Sequence, residues 1–369
     1  MSKNLRFLFY LVHPAKFHFH KVQINKLISK GHKVDILINS KDILEDLVKE
    51  ERWNYSNIFP EGRKIKGLHV YLSALIAIVK TVHRLLIFTK GKKYDLFIGD
   101  LLTVIGKIKG IDTLFPADSP LTQVPEQSLF LHTATHPIAP HINNLQQFNK
   151  KTIKYKGYKA LSHLHPNHFK PNKRVLFESI QKIEKYYLIR CTGFFATHDI
   201  GKSGISNELL LKIIEELKPH GKVIITSERC LPKELEMYYI NFNKNDISHY
   251  MYFADLFISD STTMSAEAAV LGTPSIEFDD YHHEIDQMLE LEKKYKLIHC
   301  YRTHQEDQFL YMIRHLVKQK DLKQVYQKRR EILLNDCIDV SAFLVWLFEK
   351  YPTSKIKYFN NPNIQETFT

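Results

Sequence analysis

Residues 256–269 read LFISDSTTMSAEAA, and this segment is the clearest strand-to-helix signal in the chain. The apolar run Leu256–Ser259 predicts a buried strand, and the residues after it predict a helix over positions 263–271. Ser261 or Thr262 is expected to cap that helix. A helix that begins just after a strand offers free backbone N–H groups and the positive end of its dipole. The stretch therefore predicts a site that suits a phosphate group.

Both halves of the chain alternate strand-like and helix-like segments. Strands joined by helices imply parallel sheets covered on both faces, so we expect an α/β fold with one such domain in each half. Two such domains in tandem leave a cleft, and ligands bind beyond the carboxyl ends of the strands. The expected strands are residues 5–12, 34–38, 95–98, 187–190, 223–226, 256–259 and 275–278.

The length of 369 residues also favours two domains, because a single core stops growing at about 250 to 300 residues. Residues 150–185 contain ten Lys or Arg against two Glu, with two prolines and three histidines. We place the domain connection there, near residue 170. The expected boundaries are 1–170 for an amino-terminal domain, 171–351 for a carboxyl-terminal domain, and 352–369 for a polar tail.

The composition excludes several classes of protein. The formal charge is +12, from 52 Lys and Arg against 40 Asp and Glu, which excludes an acidic tail protein and hints at an acidic partner. The four cysteines form no C-x-x-C pair, so neither a disulfide framework nor a zinc ribbon is expected. The amino-terminus does not read as a signal peptide. A cytoplasmic protein is expected.

The most apolar window, residues 70–88, has the length of a membrane span. Lys80, His83 and Arg84 lie in its second half, and each central charge would cost about 2.5 to 3.5 kcal/mol on insertion. A spanning helix is therefore not expected. A buried core helix and an amphipathic helix with a membrane-facing side both remain open.

Two further residues are candidates for holding a nucleotide. Glu267 lies inside the helix that follows Ser259, where a carboxylate can accept hydrogen bonds from a ribose diol. An exposed glutamate behind an ordinary N-cap is the alternative. His198 follows the strand 187–190 and can donate to a phosphate oxygen, or it can simply cap a loop. Residues 196–203 fit a relaxed P-loop pattern, but bulky residues separate them from the strand, which argues against kinase or ATPase chemistry.

The amino-terminal half offers candidates for catalysis. His13 follows the first strand and can act as a general base, because the unperturbed pKa of histidine is close to 6.5. Asp100 follows the strand 95–98 as a second acid or base, or as a helix cap for residues 101–109. The histidine spacings match no zinc pattern, and the chain has no D-x-D triplet. We expect no metal and no cofactor, and a bound diphosphate would be neutralised by helix dipoles and basic side chains.

Several short segments together carry a resemblance to a known family. Through them the chain resembles the bacterial and archaeal DUF354 family, uncharacterised proteins of the GT-B glycosyltransferase and UDP-GlcNAc 2-epimerase superfamily. The resemblance implies a GT-B fold of two Rossmann-like domains whose parallel sheets face a central cleft, with a nucleotide sugar held mainly by the second domain. The segments are His13-Pro14-Ala15 with His18, and residues 31–34, 155–158, 169–171, 189–199 and 263–274.

The resemblance also implies roles for single residues. Hydrolysing UDP-GlcNAc 2-epimerases have a D-S-G-G-x-x-E-E-A segment that is similar to residues 260–268. By that match Ser261, Thr262 and Thr263 contact the diphosphate, and Glu267 contacts the ribose. The match to His198 is weak. No counterpart of the epimerases' H-V-E-A-G segment, with its catalytic carboxylate, is present, and this departure favours glycosyl transfer over epimerisation.

The leading hypothesis is thus a metal-independent glycosyltransferase of surface polysaccharide or glycolipid assembly. It would transfer a sugar from a nucleotide diphosphate, with UDP as the favoured nucleotide, to a glycan or lipid-linked acceptor. His13 would be the base, Asp100 the orienting or second acid-base group, and His198 a residue of the donor site. A 2-epimerase-like isomerase is the runner-up, and a basic adaptor that binds lipid or nucleic acid is the third reading. An anionic membrane surface is an expected partner, and nucleic acid is not, because no nucleic-acid motif accompanies the charge.

Overall fold

The computed structural model describes residues 4–40, 43–62, 70–117, 127–193, 204–280 and 285–369. The chain divides into two compact units. Unit 1 comprises Met1–His165 and Ile338–Thr369, and unit 2 comprises Pro166–Cys337. Each unit is built on a parallel sheet with helices between its strands, which confirms the expected α/β class.

Unit 1 has a seven-stranded sheet in the order β3-β2-β1-β4-β5-β6-β7, and all of its pairings are parallel. Strand β1 lies inside the sheet, and Phe7, Leu8 and Phe9 have no exposed surface because helices cover both faces. The described elements before the connection are β1 (Arg6–Leu11), α1 (Pro14–Ser29), β2 (Lys33–Ile38), α2 (Leu44–Glu50), β3 (Tyr55–Asn57), α3 (Val70–Thr89), β4 (Leu96–Ile98), α4 (Leu102–Lys109), β5 (Thr113–Pro116), α5 (Gln127–Thr133), β6 (His136–Pro140), β7 (Ile153–Tyr155) and α6 (Leu161–Leu164).

Unit 2 has a five-stranded parallel sheet in the order β12-β11-β10-β8-β9. Its core packs strands β8 and β10 against helices α8 and α13, with Ile189, Ile213, Ile258 and Phe309 all fully buried. The elements are α7 (Glu178–Gln181), β8 (Tyr186–Cys191), α8 (Asn207–Leu217), β9 (Lys222–Ser227), α9 (Lys233–Glu236), α10 (Ile247–Phe253), β10 (Leu256–Ser259), α11 (Thr262–Val270), β11 (Ser275–Phe278), α12 (Asp286–Lys293), β12 (Ile298–Tyr301), α13 (Glu306–Val317) and α14 (Leu322–Asp336).

The carboxyl-terminal boundary differs from the expected one at residue 351. The chain leaves unit 1 at His165 and returns to it at Ile338, so helix α15 (Val340–Glu349) belongs to unit 1 and not to the second domain. The physical reason is burial, because Phe343, Leu344 and Leu347 on α15 have no exposed surface. Residues 352–369, expected as a polar tail, form helix α16 (Thr353–Asn360) and the 3₁₀ segment Pro362–Thr367.

This returning segment covers the edge of the first sheet. Strand β7 is an edge strand, and its free backbone groups need partners. The Tyr358 hydroxyl accepts from Lys154 N at 2.9 Å and donates to Lys154 O at 2.8 Å. Gln365 Oε1 accepts from Lys156 N at 2.7 Å, and Ile338 N donates to Lys156 O at 2.9 Å. The polar residues of the last segment therefore complete the hydrogen bonding of the sheet edge.

Helix α3 occupies the apolar window singled out in the sequence. Ala77, Thr81 and Leu85 line its buried face, and the helix packs on the core beside β1 and β4. The core interpretation therefore holds for one face of α3, while the opposite face is exposed. Within the described ranges, none of the helices combines the length and the apolar character needed to cross a membrane.

Replacing Phe343 tests the assignment of α15 to unit 1. The Phe343 ring lies within about 6 Å of the Trp346, Tyr358 and Phe368 rings, so Phe343→Ala leaves a cavity in this packing. We expect a loss of about 3 to 5 kcal/mol in the free energy of unfolding, measured by urea titration. Ile356→Ala, at a side chain that is 56% exposed on α16, is the control and should cost little. Equal effects of the two changes would contradict this packing.

Candidate functional site

The site in unit 2 lies at the carboxyl ends of three adjacent strands. β10 runs between β8 and β11, and Ser259 is paired in register with Arg190 on one side and Glu277 on the other. The residues that follow these strands therefore reach the same edge of the sheet. They include Asp260 after β10 and Asp279 after β11.

Helix α11 begins at this edge. Ser261 occupies the N-cap position with φ of −115°, as expected, but its side chain makes no capping hydrogen bond. Its backbone N–H instead donates to Ser259 Oγ at 2.9 Å. The first N–H groups of a helix have no partner within the helix, so those of α11 and the positive end of its dipole stay available for an anion. Thr263 in the first turn is exposed.

The Thr262 hydroxyl is already hydrogen-bonded to a buried carboxylate. Its Oγ1 donates to Asp279 Oδ2 at 3.0 Å, and Asp279 has no exposed surface. The side chain of Thr262 thus anchors the start of α11 to the end of β11. Thr262 can still contribute its backbone N–H group to a bound anion.

A second buried carboxyl lies beside Asp279. Glu277 belongs to β11, has no exposed surface, and receives a hydrogen bond from the Cys300 thiol with a sulfur-to-oxygen distance of 3.7 Å. Burial, followed by the neighbouring Asp279, raises the pKa of Glu277 well above its usual range. This shift favours the neutral form of Glu277, which carries no negative charge beneath the N-terminus of α11.

Asp260 organises the backbone at the edge of the sheet. Its Oδ1 accepts from Thr192 N at 2.7 Å and its Oδ2 accepts from Ile205 N at 3.2 Å. Asp260 is only 3% exposed. This burial raises the pKa of its carboxyl group to about 6, although both backbone hydrogen bonds lower that pKa. Asp260 is thus a positioning residue that holds two separate segments at the end of β10.

Two arginines add positive charge to the same edge. Arg190 at the end of β8 donates to Thr226 Oγ1 at 3.3 Å and forms an ion pair with Glu228. Arg229 donates to the carbonyl oxygen of Ile205. Neither arginine was singled out in the sequence, although Arg190 ends a predicted strand. Basic side chains, one of them already paired with a glutamate, therefore lie at the same edge of the sheet as the start of α11.

In unit 1, His13 lies where a catalytic base was expected, just beyond β1. It is exposed and occupies the N-cap of α1, and its Nδ1 accepts from Ala15 N at 3.1 Å. Because this contact requires an unprotonated Nδ1, the neutral ring carries its proton on Nε2. His13 in this arrangement presents a hydrogen-bond donor, and Nε2 becomes basic only when Nδ1 leaves Ala15 and takes up the proton.

Asp100 follows the strand adjacent to β1. Phe9 is paired with Ile98, so Asp100 and His13 come after neighbouring strands at one sheet edge. Helix α4 has Leu101 at its cap position, and the carbonyl oxygen of Asp100 accepts from the backbone N–H and the hydroxyl of Thr103. Gly99 must be glycine here, because it has φ of +139° and a Cβ would lie 2.8 Å from Tyr10 O. The close approach of β4 to β1 therefore fixes the position of the backbone at Asp100.

The sequence-predicted residues fall into three groups. Ser261, Thr262, Thr263 and Glu267 lie within the first two turns of α11, with Glu267 half-buried. His13 and Asp100 share one sheet edge of unit 1. His198 falls outside the described residues. Among the residues that are described, no three His, Cys, Asp or Glu side chains form a group that could hold a metal ion.

Sequence reasoning missed the buried carboxyl groups. The sequence does contain a signal for them, because Glu277 interrupts an apolar strand candidate and two aspartates follow Phe278 directly. A carboxyl group in a strand that is buried on both faces must be paired or protonated. That signal points to a polar cluster below the junction of β10 and α11.

A family model described as a protein of unknown function (DUF354) matches residues 128–341, which is more than half of the chain. The chain belongs to the DUF354 family. No curated protein matches it in sequence.

Solved structures share the fold of this DUF354 protein at low sequence identity. The kitacinnamycin glycotransferase is 12% identical with a TM-score of 0.62, over 94% of this chain and 99% of that one. A Staphylococcus aureus MnaA structure with UDP is 10% identical with a TM-score of 0.64, over 97% of each chain. UDP-GlcNAc 2-epimerase from Neisseria meningitidis bound to UDP-GlcNAc is 15% identical with a TM-score of 0.57, over 89% and 98%. The GT-B fold implied by the resemblance is thereby confirmed.

The pKa of Asp260 gives a pH dependence with a defined sign. The pKa of Asp260 is about 6 in the folded protein and has an ordinary value of 3.8. Between these two pH values the folded state therefore binds more protons than the unfolded state. The stabilisation present below about pH 4 is therefore lost as the pH rises through about 6. We expect the unfolding free energy of wild type, minus that of Asp260→Asn, to fall across this range in urea titrations.

The control for this experiment is Asp307→Asn at an exposed site on α13. Its difference from wild type should not fall over the same range of pH. A difference for Asp260→Asn that stays constant or rises with pH would contradict the burial of a protonated carboxyl group at the end of β10.

Proposed function

We propose that this DUF354 protein is a metal-independent glycosyltransferase whose donor is a nucleotide diphosphate sugar, with UDP as the nucleotide. The observation that supports it best is the start of α11. There a helix with no side-chain cap begins at the carboxyl edge of a parallel sheet, and two arginines lie at that edge. Such an end suits a diphosphate. The GT-B fold is that of proteins named as glycosyltransferases and UDP-GlcNAc 2-epimerases.

In this proposal the donor binds along the first turns of α11. The Ser261 hydroxyl and the backbone N–H groups of Thr262 and Thr263 face the diphosphate, and His198 donates to a phosphate oxygen. Glu267 lies in the second turn and accepts hydrogen bonds from the ribose hydroxyls. The raised pKa of Glu277 supports anion binding, because it favours the neutral carboxyl group and an ionised carboxylate beneath the helix would repel the diphosphate.

The reaction joins an acceptor hydroxyl to the anomeric carbon of the sugar. The bond between that carbon and the diphosphate oxygen breaks, and the nucleoside diphosphate leaves with the bonding electron pair. His13 takes the proton of the acceptor hydroxyl after its Nδ1 has left Ala15 N, and Asp100 orients the imidazole or the acceptor. The acceptor is a glycan or a lipid-linked sugar of surface polysaccharide or glycolipid assembly.

A sugar-nucleotide isomerase is the second candidate, because the fold also matches UDP-GlcNAc 2-epimerases over nearly the whole chain. The two functions differ in their need for an acceptor. Proton NMR of UDP-GlcNAc with the protein alone, and then with sugar and lipid-linked acceptors, separates them. A transferase needs an acceptor to release UDP and forms a glycosylated acceptor. A 2-epimerase-like enzyme consumes UDP-GlcNAc without an acceptor and gives either a new sugar nucleotide or, by hydrolysis, UDP and the free epimerised sugar. Neither product, together with no rise in melting temperature for any nucleotide sugar, would overturn both and favour an adaptor.

Two substitutions of His13 separate its cap from its proposed chemistry. Asparagine is a good N-cap and has no basic nitrogen, whereas alanine removes both functions. If His13 is the base, His13→Asn and His13→Ala should both lower kcat about 100-fold or more in the transfer assay, while only His13→Ala lowers stability, by about 1 kcal/mol. Full activity in His13→Asn would show that the residue is only a cap. Activity of wild type should persist in EDTA.

Glu267→Gln tests the ribose contact in the donor site. We expect it to weaken UDP binding about tenfold, because a hydrogen bond from ribose to a charged acceptor is replaced by one to a neutral amide. Calorimetric titration with UDP and with 2′-deoxy-UDP provides the measurement. The variant should distinguish the two ligands less than wild type does. Glu234→Gln, at an exposed glutamate on α9, is the matched control, and equal losses in both variants would contradict the assignment.

A further inference from the structure

Helix α3 has an exposed face that is apolar. Leu75, Val79 and Ile87 are 57%, 60% and 60% exposed. They follow one another at intervals of four and eight residues, with the exposed His83 between Val79 and Ile87. Positions four apart lie on one face of a helix, so these side chains form a stripe about 18 Å long. We call these four residues the α3 stripe.

The α3 stripe is distinct from the side of α3 that packs on unit 1. The buried positions Ala77, Thr81 and Leu85 have the same spacing of four but are displaced by two residues from the stripe, which places them on the opposite side of the helix. Thr81 Oγ1 donates to Ala77 O at 2.6 Å, so its hydroxyl is satisfied inside the core. Surface helices normally carry polar residues on the outer face. Packing within unit 1 therefore does not account for the apolar stripe.

The charge around α3 has one sign. Between Glu61 and Asp95 the sequence contains eight Lys or Arg and no Asp or Glu. Lys80 is exposed beside the stripe, and Lys90 is exposed at its carboxyl-terminal end. The Nζ atom of Lys92 lies 3.4 Å from the centre of the Phe88 ring. Arg84 is the exception, since it pairs with Glu61 at 2.6 Å. The stripe is thus an apolar surface bordered by positive charge.

We propose that the α3 stripe binds the surface of an anionic lipid bilayer. Apolar side chains on one face of a helix, flanked by lysines, are the combination that holds a helix in the plane of a membrane interface. The lysine stems can extend so that their ammonium groups reach anionic headgroups while Leu75, Val79 and Ile87 enter the acyl region. A second copy of this chain fits less well, because it would bring Lys80 and Lys90 against the same charges.

This proposal does not depend on the function of the site in unit 2. Lipid binding by α3 needs no nucleotide, so vesicle binding and glycosyl transfer can fail separately. If both hold, the stripe keeps the protein at the surface where a lipid-linked acceptor is found, and it narrows the acceptor class of the proposed transferase to lipid-linked sugars.

Vesicle sedimentation of the full-length protein tests the proposal. We expect binding to vesicles that contain phosphatidylglycerol, much weaker binding to phosphatidylcholine alone, and release as salt rises. The double variant Val79→Gln/Ile87→Gln should reduce partitioning about tenfold or more, and Lys80→Gln/Lys90→Gln should reduce it only on the anionic vesicles. Ile332→Gln is the control, since Ile332 is 59% exposed on α14 in unit 2.

Melting curves of all variants show whether a loss of binding comes from unfolding. The substituted side chains are exposed, so the substitutions should leave stability unchanged. The proposal is overturned if wild type does not bind anionic vesicles. It is also overturned if Ile332→Gln reduces binding as much as the stripe variant does. A wild-type dimer in solution that Val79→Gln/Ile87→Gln converts to a monomer, without any loss of vesicle binding, would show that a second copy covers the stripe instead.

Discussion

Burial of β10 on both faces is the constraint on which the proposed donor site depends. All four residues of this strand are buried and the first three are apolar, so its polar groups lie at and beyond its carboxyl end. Asp260 comes first, and two backbone N–H groups compensate its carboxyl group for the loss of water. Helix α11 starts two residues later, at Thr262. The same geometry that removes polar groups from the strand thus concentrates hydrogen-bond donors at its end.

The buried carboxyl groups below α11 refine this picture. Asp279 accepts a hydrogen bond from the Thr262 hydroxyl and thereby fixes the start of the helix relative to β11. Burial and the neighbouring acid raise the pKa of Glu277 and so favour its neutral form. A neutral carboxyl group leaves the positive potential of the helix end undiminished. In the proposed donor site, the cluster therefore acts on the diphosphate through the helix rather than by direct contact.

The proposed roles of the two units rest on different kinds of evidence. In unit 2 the polar groups of one sheet edge are joined by hydrogen bonds that the structure describes. In unit 1 the position of His13 matches the expectation, but its Nδ1 is the cap acceptor of α1. A base role for His13 therefore includes a change of hydrogen-bond partner, which the cap-preserving asparagine variant isolates from stability.

Sequence patterns alone predicted the α/β class, the strand-to-helix junction at residues 256–271, membership of the DUF354 family and the positions of His13 and Asp100 after their strands. These features depend on local periodicity and on short motifs, which neighbouring residues in the chain specify. Only the tertiary structure showed that residues 338–369 return to unit 1, because the need of edge strand β7 for hydrogen-bond partners cannot be read from Tyr358 or Gln365 alone. It also decided that Glu277, Asp279 and Thr262 meet and that the α3 stripe is exposed, since contacts between distant segments arise from packing and not from local pattern.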